Sequence, residues 1–167
     1  MELAALISLL GLKPHPVEGG FFVETYRSAD AFSQATLPGR YQGPRCASTC
    51  IYYLLTEDSF SAMHRLPSDE IFHFYLGDPV ELFEIHPDGS GRLHMLGTDL
   101  TAGMRPQHVV PMNTWQGSRL CAGGRYALLG TTVSPGFEFA DFETGHRAAL
   151  IAQYPQFAQQ IAELTRT

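Results

Sequence analysis

Apolar and polar positions along this chain follow two different periods. Leu3, Leu6, Ile7 and Leu10 recur three and four residues apart, which predicts a short amphipathic helix. Gly11 offers it a C-terminal cap, and Pro14 stops any continuation. From Gly20 onward the pattern is that of strands. Phe21 to Arg27 is rich in aromatic and β-branched residues. Residues 29–45 carry Pro38, Gly39, Gly43 and Pro44 among polar neighbours and read as a long loop. Further strands are predicted over 48–56, 60–65, 70–76, 80–86, 92–97, 107–110, 114–117 and 125–133. Turn signals such as Gly77-Asp78-Pro79 separate them. Roughly seven to nine short strands at this spacing predict an antiparallel sandwich or barrel. Leu150, Tyr154, Phe157, Ile161 and Leu164 then return to helical spacing, and Pro155 predicts a kink or two short helices there.

Length and charge narrow the picture. At 167 residues the chain suits one domain over residues 1–167. The net charge of −6 is scattered, and Lys and Arg form no run. No nucleic-acid or anionic-membrane surface is expected. No apolar run approaches the roughly 20 residues that span a bilayer, and the N-terminus lacks the basic start of a leader. The three cysteines, Cys46, Cys50 and Cys121, include no CxxC pair. They read as small apolar residues in a reducing, cytoplasmic setting.

Candidate chemistry gathers at His64 and Glu70. His64 ends one predicted strand, Glu70 opens the next, and Gly77 makes the following turn. Across a hairpin both side chains can face the interior, within reach of one ligand or metal. A carboxylate rarely enters a core without partner or purpose, although Glu70 could simply pair with Arg27 or Arg65. Phe72 and Phe74 share Glu70's face and are expected to line a pocket. His73 falls on the opposite face. Trp115 and Gln116 must point opposite ways, so one of them faces the pocket. His15, His86, His94, His108 and His146 show no partner spacing and read as surface or turn residues. Asp141 and Glu143 read as caps of the C-terminal helix.

The same residues carry a resemblance. Cupins have a first motif of two His one residue apart, then a Glu, then a Gly; His64, Glu70 and Gly77 match it. Leu66 stands where the second His belongs, and Asp58 replaces the opening Gly. In the second motif Pro111 matches, while Asn113 replaces a Gly and Gln116 a His. Leu-Lys-Pro-His-Pro-Val-Glu-Gly-Gly (12–20), Glu-Thr-Tyr-Arg-Ser (24–28), Thr-Trp-Gln (114–116) and Pro-Gly-Phe-Glu-Phe-Ala-Asp-Phe (135–142) resemble one small cupin family of unknown function along almost the whole chain. That resemblance implies an all-β jelly-roll barrel, the double-stranded β-helix of sugar-nucleotide epimerases, with short N- and C-terminal helices. It also implies a homodimer and a small-molecule ligand, and no settled activity.

Three functions stay open on these residues. The first is an isomerase or epimerase acting on a sugar or other small polar metabolite. His64 would abstract a proton next to a carbonyl, Glu70 would orient or protonate, and Gln116 would hold the oxyanion. Arg27 is the candidate for an anionic group. The second is a non-catalytic binder that uses Phe72, Phe74, Trp115 and Gln116 as its walls. The third is a divalent-metal site of His64, Glu70 and Gln116, weakened because Leu66 cannot ligate and an amide is a poor transition-metal ligand.

Overall fold

The computed structural model describes residues 2–166. Helix α1 (Leu3–Leu10) ends at Gly11, whose φ of 64° lies in the left-handed region that glycine adopts without strain. Strands are numbered along the chain. The larger sheet runs in the order β1 (Lys13–Pro14), β2 (Phe21–Arg27), β5 (Thr49–Thr56), β12 (Tyr126–Ser134), β7 (Asp69–Gly77) and β10 (Gln107–Val110). The smaller runs β13 (Glu143–Thr144), β6 (Phe60–Arg65), β11 (Trp115–Leu120), β8 (Val80–Ile85) and β9 (Gly91–Leu96). All the pairings within both sheets are antiparallel. The result is an all-β cupin-type jelly roll with a few short helices.

Periodicity located the long strands to within one or two residues, apart from β11, which runs on to Leu120. It missed β1, β13 and the short pair β3 (Ala31–Phe32) and β4 (Arg45–Cys46). Two residues are too few to show alternation. The pair β3–β4 lies within or at the end of the expected loop, and Tyr41 anchors that segment. Its ring is buried and its hydroxyl lies 2.8 Å from Ser68 Oγ.

Two apolar layers hold the sandwich. Between the sheets pack Tyr53, Leu55, Phe72, Phe74, Leu82, Leu96 and Leu129. On the outer face of the smaller sheet, Phe83, Ile85 and Trp115 pack under α2 (Arg147–Gln153) and α3 (Ala158–Glu163). Pro155 opens the short 3₁₀ turn between those two helices, as its missing N–H requires. Among the described residues, no helix is long and apolar enough to cross a membrane.

Asp141 does not cap the C-terminal helix. It receives Arg45 Nε at 2.7 Å and Arg45 Nη2 at 2.5 Å, a bidentate pair in which both side chains are nearly buried. This pair ties β4 to the segment that carries Phe137, Phe139 and Phe142. Glu143 likewise takes Arg65, at 2.7 and 2.9 Å, on the surface. Removing one member of a buried pair strands the other charge. Asp141→Ala is therefore expected to cost about 3 kcal/mol in urea denaturation, whereas Glu143→Ala should cost under about 1 kcal/mol.

Candidate active site

A cavity of about 90 Å³ opens between β2, β5, β6, β7 and β12. Apolar groups form most of its wall: Phe22, Ile51, Leu66, Val133, Phe137 and Phe142. Four polar side chains, His15, Glu18, His64 and Glu70, converge inside it. The ring of Phe142 stacks on His64 with centroids 4.8 Å apart, so the 135–142 segment covers the imidazole.

Strand geometry places the two central groups. His64 sits near the end of β6 and Glu70 near the start of β7, both inward and buried. His64 Nδ1 lies 2.8 Å from the Ala62 carbonyl, to which it donates. That bond turns Nε2 towards Glu70 Oε2, 3.8 Å away, a charge pairing too long for a hydrogen bond. Glu70 Oε2 also accepts the Gln116 amide at 2.6 Å. Burial is the largest single influence on His64 and favours its neutral form. The charges of Glu18 and Glu70, with the Ala62 carbonyl, together outweigh it and push the pKa up to about 9. His64 is therefore a cation at neutral pH.

The structure separates the residues singled out from sequence. His64, Glu70 and Gln116 come together. Arg27 lies on the rim, where Glu24 at 2.9 Å and Glu138 at 2.7 Å neutralise it. Phe72 and Phe74 do share Glu70's face but do not line the cavity. At roughly 3.3 Å per residue they sit about 7 and 13 Å further along β7, deep between the sheets. Trp115 points away from Gln116, packs under the C-terminal helices and carries the Arg65 guanidinium 4.5 Å above its ring. His73 faces outward, as alternation requires, and meets Thr132 Oγ1 at 3.0 Å.

Two cavity residues were missed. His15 is not a surface residue: its side chain is nearly buried, and Nδ1 accepts the Glu18 N–H at 2.9 Å. Burial lowers its pKa. Glu18 in turn accepts the Ser61 hydroxyl. Both residues lie on an irregular turn before β2, where no period marks the inward side. At the other edge of the sandwich, His86, His94 and His108 gather around Glu84, again in place of the surface positions expected.

His64, Glu70 and Gln116 do not fit a metal centre. Leu66 lines the cavity where the motif's second imidazole would stand. The Gln116 nitrogen is taken up by Glu70, and an amide oxygen is a poor ligand for a transition ion. Asn113 does fit its motif position: with φ 62° it adopts the conformation of the glycine it replaces.

Known proteins resemble this chain over nearly its whole length. The family model described as Cupin superfamily (DUF985) matches residues 4–145. An uncharacterized protein of Saccharomyces cerevisiae, YML079W, is 31% identical over 132 residues, 74% of this chain and 66% of that protein; the match thus spans just under two thirds of that relative. Protein SO0799 from Shewanella oneidensis superposes with a TM-score of 0.88 at 38% identity, covering 99% of this chain and 98% of that one. A hypothetical protein from Leishmania major gives 0.90 at 33% identity, with both chains covered in full. Oxalate decarboxylase of Lactobacillus farciminis shares the fold alone, at 10% identity and a TM-score of 0.55 over 95% of this chain and 43% of that one.

The raised His64 pKa sets a pH dependence. A group whose folded value of about 9 exceeds its ordinary 6.5 stabilises the fold fully below pH 6.5 and loses that contribution as pH rises through 9. Stability should fall across that window, by at most about 1.4 kcal/mol per pH unit. In Glu70→Gln the His64 titration, followed by NMR, should move down and the slope should flatten.

Proposed function

The chain belongs to the DUF985 family of the cupin superfamily, and we propose that it is a metal-independent isomerase that moves a proton next to the carbonyl of a small uncharged sugar or related metabolite. The observation that carries this reading is the pairing of a cationic imidazole with a buried carboxylate in one mostly apolar cavity. Such a pair presents an acid and a base side by side to one face of a carbonyl compound.

The roles differ from those expected at first. His64 is charged, so it acts as the acid. Glu70 acts as the base and takes the proton from the carbon next to the carbonyl. His64 Nε2–H gives its proton to the carbonyl oxygen, and a neutral enol results. Glu70 then returns its proton to the former carbonyl carbon, the neighbouring hydroxyl gives its proton to His64 as it becomes the new carbonyl, and both residues are restored. Gln116 donates its amide to Glu70 and is a positioning residue.

Charge decides the substrate class. Glu18, Glu24, Glu70 and Glu138 line the cavity, while Arg27 is already paired with two carboxylates. The field disfavours a pyrophosphate, so an unphosphorylated sugar suits the site better than a sugar nucleotide. Phe22, Phe137 and Phe142 supply apolar walls for its carbon skeleton.

The test is hydrogen exchange in D₂O with a panel of aldoses and ketoses, read by NMR at the carbon next to the carbonyl. At least one sugar should exchange. Glu70→Gln should slow that exchange about 100-fold or more while the sugar still binds. Binding without exchange across the panel would instead make the protein a carrier.

A further inference from the structure

We propose that Glu84, His86, His94 and His108 form a binding site for one divalent first-row transition ion of the zinc type, distinct from the His64 cavity. Three segments deliver the four side chains. Glu84 lies on the inner face of β8, and His86 follows it two residues on. His94 comes from β9, diagonal to Glu84, because the register pairs Leu82 with His94 and Glu84 with Arg92. His108 comes from β10, the edge strand of the opposite sheet.

The geometry is that of a ligand shell. Glu84 Oε2 lies 3.1 Å from His86 Nε2 and 3.5 Å from His94 Nε2. Glu84 Oε1 lies 2.6 Å from His108 Nε2. Ligand atoms of Glu84, His94 and His108 all fall within 4.8 Å of one another, while His86 touches Glu84 from outside that group. Bonds of about 2.05 Å in a tetrahedron set donor atoms about 3.3 Å apart, and the first two distances bracket that value. The rings of His94 and His108 lie with centroids 3.9 Å apart, and each turns its Nε2 towards the Glu84 carboxylate.

Polar atoms here also lack ordinary partners. Glu84 is fully buried. Its Oε2, with His86 Nε2 and His94 Nε2, is buried without a hydrogen bond among the described residues. Buried polar atoms without partners are costly. In this arrangement Glu84 hydrogen-bonds only His108, through Oε1, whereas one divalent ion accepts a lone pair from each donor at once. Three imidazoles and a carboxylate favour zinc and its neighbours over magnesium or calcium, which prefer oxygen. Glu84, His94 and His108 supply three donors, and His86, against Glu84 Oε2, stands next to the fourth position. The ion would join the open edges of the two sheets, β9 to β10. His86, His94 and His108 keep 19–28% of their side chains exposed, so an ion can reach the site from solvent.

The experiment titrates metal-stripped full-length protein with Zn²⁺ in a calorimeter, and with Co²⁺ by visible absorption. One ion per chain should bind, the Co²⁺ complex should show the intense bands of four-coordinate geometry, and the melting temperature should rise. His94→Ala and His108→Ala, at partly exposed positions, should each weaken Zn²⁺ binding about 100-fold or more. His64→Asn should bind Zn²⁺ as the parent does. Two variants at independent strands guard against one that fails to fold, with circular dichroism as the check. No saturable Zn²⁺ binding by the parent would overturn the proposal. Binding that survives both histidine variants, or that disappears in His64→Asn, would overturn it as well. The sugar-exchange assay is separate, so failure of one reading leaves the other standing.

Discussion

A carboxylate buried between two sheets must be given partners, and this protein buries two. Glu70 enters from the larger sheet and Glu84 from the smaller, and neither can shed its charge into water. Gln116 stands between them. The register of β11 sets it opposite His64 on one side and Glu84 on the other, so the three lie in one cross-strand row. At roughly 4.8 Å per strand, Glu84 is about 10 Å from His64. The amide nitrogen of Gln116 goes to Glu70, which fixes Glu70 against His64. A shift of β11 by one residue would point Trp115 inward and leave Glu70 without that bond.

This row divides the interior into a polar end and an apolar end. Along β8, Val80 and Leu82 face Leu96 and its neighbours, and Glu84 and His86 follow on the same face. Along β7 the order runs the other way in the chain: Glu70 comes first, then Phe72 and Phe74. The two strands are antiparallel neighbours of different sheets, so their polar ends coincide. The apolar end supplies the close packing, and the polar end can then hold charge.

The long strands and both terminal helical regions were legible because each spans enough residues to show a period. Glu70 was legible too, as a charge opening an apolar strand. Distance along the strand was not: alternation put Phe72 and Phe74 on the right face, but only the third dimension shows that the cavity stops short of them. Histidine partners were illegible for a different reason. His86, His94 and His108 come from separate segments, and spacing between them says nothing about which sheet edges meet. Parity within β8 and β9 was the available signal, since Glu84 and His86 share a face by alternation. His15 and Glu18 lie on a turn, where even parity fails.

The two edges of the sandwich also differ in what covers them, and that difference assigns their chemistry. Near β2 and β6 the 135–142 segment covers the site with aromatic rings, held down by the Arg45–Asp141 pair. A cover of that kind excludes water, strengthens the attraction between His64 and its carboxylates, and suits proton transfer. Near β9 and β10, among the described residues, no aromatic ring stacks on the histidine group other than its own members, His94 on His108. Three partly buried imidazoles converge there on a single carboxylate, and only His108 hydrogen-bonds to it. An ion that links two sheet edges needs that convergence and some access to solvent. In the two readings proposed above, the covered edge handles a proton and the open edge holds a metal.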